Sequence, residues 1–386
     1  MSVAGELLDS ARRIASELPA HAEANERGRR LAAPMVEALR EAGLFRLCVP
    51  RSLGGPEAHP WTLVEVLETL ARGDGSAAWC AMIASTTSVL AGYLEPEAAK
   101  RVFGDPAAVA GGVFAPRGRA VRDAGGFRVT GRWSFASGCQ HATWLLGGCL
   151  VEGATGPETT PEGRPDVRLM LFPAEAAEIV DTWDVAGLCG TGSHDVAVRD
   201  LAVPEAHAVS MISDAPREAG ALYAFPVFGL LAVGVAGVAL GLGRRALDEL
   251  TGLAAHKTPT LARRRLADRG LTQGRVADAE ARLASARAWL RDVIHAAHDD
   301  AGGGSPLGLE PRARLRLAAS HAVRSATEAV DAMWRLGGGS TIYAGSPLQR
   351  VWRDVSVLGQ HVMVAEPTFE LAGRVLLGVE TDTSTL

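Results

Sequence analysis

The sequence predicts an α+β fold, mostly α. A helical domain over 1–107 is followed by a β domain over 108–215 and a four-helix bundle over 216–386. Three observations carry this. Both ends of the chain repeat apolar residues at helical spacing. The middle alternates apolar and polar residues between turn clusters. An uncharged run over 219–243 ends at Arg244-Arg245 and reads as the central helix of a bundle.

In the first domain, Leu7, Ala11, Ile14 and Leu18 form one apolar face, and Met35, Leu39 and Ala42 a second. Gly43 is placed to end the second helix. VPRSLGGP is a loop rich in Gly and Pro. Leu63, Leu67 and Leu70 mark a third helix, and ARGDGSAAWCAMIAS leads into a fourth.

In the second domain, FRVTGRWSF, TWLLGGCLV, RLMLFP and HDVAVRDLAV read as strands of an antiparallel sheet. DAGG and EGATGPETTPEGRP are the turns between them. Phe127, Val129, Trp133 and Phe135 alternate with polar residues, and the strand then breaks at Ala136-Ser137-Gly138 before ATWLLGGCLV. Serine and glycine suit a turn for backbone reasons alone. They also place a hydroxyl between aromatic residues, and the pattern leaves both readings open.

In the third domain, the 219–243 run is long enough to cross a bilayer. Pro226 divides it, six glycines dilute it, and amphipathic helices follow. It is therefore expected as a buried core helix over about 228–253, with Gly234, Gly237 and Gly241 admitting close neighbours. Val276, Ala279, Leu283, Ala286, Leu290 and Ile294 mark the next helix. Leu315, Ala318, Ala322, Ala326, Val330 and Met333 mark the third, and the tail 351–378 the fourth. AGGGSP at 301–306 is expected as a flexible inter-helix loop.

Composition limits the function. The 386 residues are 47% hydrophobic and 22% charged, values of a globular protein. Net charge is −5 with both signs dispersed, so no basic patch suggests a nucleic-acid partner. Cys48, Cys80, Cys139, Cys149 and Cys189 form no CxxC pair, which argues against a disulfide framework or a zinc site. MSVAGELLDSARR has no signal-peptide character, so a cytoplasmic protein with no membrane partner is expected.

Several motifs have a plain structural reading. Gly241-Leu-Gly243-Arg-Arg-Ala246 follows a helix instead of a strand and is no dinucleotide fingerprint. No Walker loop is present. His295 and His298, beside Asp299 and Asp300, have a spacing that can hold a metal. They close a helix, however, where histidine suits the dipole, so no metal is expected. GLCGTGSHDV at 187–196 can approach a flat or anionic ligand closely, or form a wide turn closed by Asp195. His361 lies in an apolar stretch that suits a core histidine, and Arg353-Asp354 suggests a structural ion pair.

EAGLFRLCVPRSLGG, ARGDGSAAW, VTGRWSFASGCQHATWLLGG, WDVAGLCGTGSHDVAV and GGGSTIYAGSPLQRVWRD, together with the tail, resemble the acyl-CoA dehydrogenase fold. The likeness covers essentially the whole chain. The dehydrogenases commonly place a catalytic glutamate eight residues beyond the Asp of the Arg-Asp pair. Here that position is Val362, which cannot abstract a proton, and its neighbour is His361. A histidine there resembles the flavin-dependent monooxygenases of the same fold.

These are two-component enzymes such as the oxygenase of 4-hydroxyphenylacetate hydroxylase and dibenzothiophene monooxygenase. The resemblance implies reduced FMN or FAD as cofactor, supplied by a separate NAD(P)H-flavin reductase, with O2 as co-substrate. It implies hydroxylation of a small aromatic or amine substrate through a C4a-hydroperoxyflavin, and a homotetramer. Ser137 would be the hydrogen-bond donor beside the flavin and His361 the base for a phenol. Trp133, Phe135 and Trp144 would keep the site dry. Ala136, Gly138, Gly190, Thr191, Gly192 and Ser193 would approach the flavin. Arg263 or Arg264, from a second subunit, and Gly337, Gly338 and Gly339 would meet its phosphate end. Ser85, Thr86 and Gln360 are weaker candidates for the pocket. A dehydrogenase acting on an acyl thioester and a non-catalytic family member remain as alternatives.

Overall fold

The computed structural model describes residues 2–153, 156–161, 163–303 and 307–386. Helix α1 (Val3–Glu17) starts at Ser2, whose hydroxyl accepts the Gly5 N–H, and buries the predicted face Leu7, Ala11 and Ile14. Helices α2 (Ala22–Gly28) and α3 (Ala33–Glu41) follow. Gly43 sits just past α3 at φ +68°, a left-handed position that favours glycine. Helix α4 (Pro60–Ala71) is capped by His59, and α5 (Gly75–Thr87) by Asp74, whose carboxylate accepts the Ala77 N–H at 2.7 Å. Helix α6 (Pro96–Phe103) closes the region. Every residue from Gly75 to Met82 is buried, so α5 has no solvent face and is held from all sides.

The β region contains β1 (Ala110–Asp123), β2 (Gly126–Trp133), β3 (Trp144–Gly153), β4 (Gly156–Pro157), β5 (Val167–Pro173), β6 (Glu178–Val180), β7 (Asp195–Pro204) and β8 (Ala208–Val209). The sheet runs β6-β7-β2-β1-β3-β5-β8, with β4 on β3. It is mixed, not antiparallel as expected, because β1 pairs parallel to β3. Strand β1 escaped the sequence reading. Its AGGVFAPRG stretch breaks alternation, and the ladder shifts register around Pro116, where proline cannot donate. Residues 154, 155 and 162 of the expected 152–165 turn lie outside the described residues.

Pro226 separates the short α7 (Ala221–Ala224) from α8 (Val227–His256). Of the most apolar stretch of α8, 89% is buried inside the protein, as expected of a core helix. A Cβ at Gly241 would stand 2.3 Å from the Glu68 carbonyl, and one at Gly237 3.0 Å from that of Val64. These glycines let α8 lie against α4. Helix α9 (Gly270–Gly302) takes in the start of the expected 301–306 loop, whose residues 304–306 lie outside the described residues. Helix α10 (Leu309–Gly337) completes the long helices.

The fourth bundle element differs from expectation. It is two helices, α11 (Pro347–Leu358) and α12 (Pro367–Leu376). Gly359 caps the first and Pro367 opens the second, and His361 stands in the break between them. One continuous apolar core joins α1, α3, α4 and α5 to α8–α11. The sheet has its own core around Phe127, Trp133 and Phe172.

Candidate functional site

Strand β2 ends at Trp133, and the chain then turns sharply. Phe135 is left-handed at φ +69° and 70% exposed, an uncommon conformation for a bulky residue. It is therefore not the last inward residue of the strand. Two backbone bonds pin the corner to the 188–194 loop. The Ala136 N–H donates to the His194 carbonyl at 3.0 Å, and the Gly138 N–H to that of Thr191 at 2.9 Å.

Ser137 is only 5% exposed. Its Oγ accepts the indole N–H of Trp79 at 3.0 Å and lies 2.7 Å from the Ser193 hydroxyl. Ser193 lies 2.6 Å from the Thr191 hydroxyl, which donates to the Leu188 carbonyl at 2.8 Å. Trp79, carried on the buried helix α5, also meets His361 edge-on, with ring centroids 5.4 Å apart. One indole thus connects the two residues singled out from the sequence. Trp79 lies in ARGDGSAAW, where no local pattern marks it for a role. Its partner Ser137 lies 58 residues away, beyond the reach of local pattern.

His361 is held by its surroundings. Its Nδ1 accepts the Met363 N–H at 3.4 Å, an arrangement that places the proton of the neutral ring on Nε2. The Met363 carbonyl accepts from the buried Arg316 guanidinium at 3.0 and 3.2 Å, and Arg316 also reaches the Thr385 carbonyl. Loss of hydration, aided by the nearby Arg316 charge, pushes the pKa of His361 down to about 4.

Other predicted residues separate into groups. Trp133 lies in the β core, not beside Ser137, with its N–H on the Gly148 carbonyl at 2.7 Å. A Cβ at Gly118, Gly131 or Gly147 would come within 2.3–2.5 Å of its ring, so those glycines make room for it. Trp144 packs edge-on to His207, against the α6 side of the sheet. Only Phe135 of the three aromatics stands at the corner, edge-on to Trp183. Ser85 and Thr86 bond to backbone carbonyls inside the core, and Gln360 is exposed. Arg353 and Asp354 do not pair with each other. Arg353 reaches Glu26 and the Ala186 carbonyl, whereas Asp354 accepts the Leu188 N–H at 2.6 Å. Burial pushes the Asp354 carboxyl up to about 7.

The two glycine runs answer the question of ligand approach differently. A Cβ at Gly190 would meet Asn25 and Ser76 at 2.9–3.0 Å, and one at Gly192 the Gln140 amide at 2.4 Å. These glycines serve packing within the protein, and Asp195 pairs with Arg132 instead of closing a turn. Gly339 faces open space, and Gly338 is left-handed at φ +55°. Lys257, one of only two lysines in the chain, donates to the Gly337 carbonyl and to Ser340 Oγ at 2.7 Å. It ties this turn to the loop that carries the exposed Arg263 and Arg264. His141 packs beside the corner, its Nε2 3.0 Å from where a Gly138 Cβ would be. Among the described residues no His, Cys, Asp and Glu group can hold a metal, and the five cysteines are unpaired.

These residues fit a flat redox cofactor. An exposed aromatic ring and a buried hydroxyl share one corner, and an open glycine turn with cationic side chains offers amides and charge to phosphate. The profile of the acyl-CoA dehydrogenase N-terminal domain matches residues 4–104, and that of the C-terminal domain matches residues 233–366. Indole-3-acetate monooxygenase of Pseudomonas putida is 34% identical over 92% of this chain and 89% of its own. The oxygenase component of the FADH(2)-dependent resorcinol hydroxylase of Rhizobium sp. is 30% identical over 95% of this chain and 93% of its own. Among solved structures, XiaF from Streptomyces sp., in complex with FADH2 and glycerol, superposes with a TM-score of 0.90 at 28% identity, covering 98% of this chain and 96% of that one.

Proposed function

The chain belongs to the acyl-CoA dehydrogenase family as the oxygenase component of a flavin-dependent monooxygenase, and we propose that it hydroxylates an electron-rich aromatic substrate, a phenol or an indole, beside Ser137 and His361. It works with a separate flavin reductase on a small molecule. The observation that carries the reading is the placement of Trp79 against both Ser137 and His361. In this reading the hydroxyl faces the cofactor and the imidazole faces the substrate, and one indole touches both.

Reduced flavin, when bound, supplies the electrons with which O2 is activated for transfer of one oxygen atom. The chain's residues do the rest. Ser137 holds the flavin edge at the corner after β2. Phe135 and Trp183 cover one flank with apolar surface and limit access of water. His361 meets the substrate's polar group as a neutral imidazole. It is a modest base, so it takes the proton of a phenol only as the phenol's own ionisation is strengthened in the pocket. Gly338, Gly339 and Lys257, with Arg263 or Arg264, form the phosphate end, and FAD is the favoured cofactor.

A homotetramer completes the site in this reading. Phe135, Leu261, Ile342, Tyr343 and Val362 are 66–103% exposed in the isolated chain, apolar surface suited to a partner subunit. The test is turnover with chemically reduced FAD, O2 and a panel of phenols and indoles. A hydroxylated product supports the reading. Oxidation of an acyl thioester with none of the panel hydroxylated refutes it.

A further inference from the structure

The hydroxyl chain at Ser137 has a direction, and the direction follows from counting protons. A carbonyl can only accept, so Thr191 spends its single hydroxyl proton on Leu188, at 2.8 Å. Thr191 must then accept in its 2.6 Å contact with Ser193, which makes Ser193 the donor there. Ser193 has no proton left for its 2.7 Å contact with Ser137, so Ser137 donates to Ser193. An indole N–H can only donate, and Trp79 directs it at Ser137 Oγ from 3.0 Å. The order is Trp79 to Ser137 to Ser193 to Thr191 to the Leu188 carbonyl.

Every hydroxyl in this chain is buried. Ser137 is 5%, Ser193 3% and Thr191 2% exposed, so water does not readily exchange into it. The Leu188 carbonyl that ends it is fixed in turn. It also accepts, at longer range, the Thr191 N–H at 3.1 Å and the Trp183 indole N–H at 3.2 Å, and its residue is held through its own N–H by Asp354 at 2.6 Å.

We propose that Thr191 and Ser193 are positioning residues that hold Ser137 as a hydrogen-bond acceptor, and that this polarity selects reduced over oxidised flavin. Ser137 has one lone pair left and no proton to offer. Reduced flavin carries a hydrogen on N5 and can donate to that lone pair. Oxidised flavin presents a lone pair at N5, which Ser137 cannot satisfy without reversing three hydroxyls. Ser137 is thus an acceptor, not the donor expected from the sequence, and Thr191 and Ser193 act through it without touching the cofactor. The inference rests on the flavin reading above.

The test is the ratio of dissociation constants for FADH2 and FAD, measured by anaerobic ultrafiltration with the full-length protein. Thr191→Val keeps the buried shape and removes the terminal acceptor step, which frees Ser193 and then Ser137 to turn outward. The preference for FADH2 should shrink by about 2- to 10-fold, the span of one hydrogen bond. Thr191→Ser, which restores the hydroxyl, should return the wild-type ratio. A packing role for Thr191 would weaken both forms equally and leave the ratio unchanged; that result overturns the inference and leaves the flavin reading standing. A wild-type protein that binds neither form overturns both.

Discussion

Trp79 donates its indole N–H to Ser137 Oγ at 3.0 Å and meets the ring of His361 at 5.4 Å with the planes 75° apart. The residue that fixes the hydroxyl also forms a wall for the imidazole. Trp79→Phe keeps a ring in place but removes the donor. Ser137 then loses one buried bond, worth about 0.5–1.5 kcal/mol. The expected outcome is a folded protein in which more of the consumed O2 ends as hydrogen peroxide. Product and peroxide measured in the same reaction check this, and an unchanged ratio would remove Trp79 from the account.

His361 is held neutral by burial and by Arg316, with its pKa down at about 4. The pH dependence of kcat/KM should therefore show no step near 6.5 and should fall only as pH drops toward 4. His361→Ala should reduce product formation by about 10²- to 10⁴-fold with flavin binding retained. The loss should be smaller for more acidic phenols, which need less help to ionise. Equal losses across a series of phenols would argue for a purely steric role.

Acid should destabilise the fold through its buried histidines. Burial pushes His59, His141 and His361 down to about 4, and the His295 and His298 side chains oppose a charge on His59 further. In the unfolded chain these groups titrate near 6.5. The unfolded state therefore takes up protons that the native state refuses, and stability present above 6.5 is lost as pH falls from 6.5 to 4. His59 Nδ1 caps α4 by accepting the Trp61 N–H at 2.9 Å, and His59→Asn keeps an acceptor there without the titration. The variant should show a shallower fall of Tm across this range, and an identical slope would contradict the assignment.

Two glycines in one helix should respond oppositely. A Cβ at Gly241 would press to 2.3 Å on the Glu68 carbonyl, so Gly241→Ala should cost about 1–3 kcal/mol. Gly252 in the same helix has nothing within 4 Å, and Gly252→Ala should stabilise by about 0.5–1 kcal/mol. Thermal unfolding of the two variants checks the α4–α8 contact directly.

Much of the fold was legible because its causes are local. Leu7, Ala11 and Ile14 repeat at helical spacing and are buried together in α1, and the uncharged run with its spaced glycines became the buried α8. The features missed depend on distant partners. Strand β1 gains its place from a parallel pairing with β3, which no local alternation in AGGVFAPRG announces. The break between α11 and α12 was written in Gly359 and Pro367, and the continuing apolar pattern concealed it. Ser137 and His361 were singled out by their place in a motif. Trp79, Arg316 and Lys257 were not, because their roles exist only where the chain returns to them: Arg316 meets the Met363 carbonyl from 47 residues away. Gly190 and Gly192 look like a ligand cradle in sequence, but Asn25, Ser76 and Gln140 fill the space beside them.

In the proposed function an oxygen atom from O2 is placed on an aromatic ring beside Ser137 and His361. The most direct measurement is turnover of the protein with FADH2 and isotopically labelled O2 against phenols and indoles, with mass spectrometry of the products. One labelled oxygen atom per product molecule is expected, with loss of that product in His361→Ala while FADH2 binding stays intact. Recovery of all the label as peroxide and water, with no aromatic product across the panel, would contradict the proposed function.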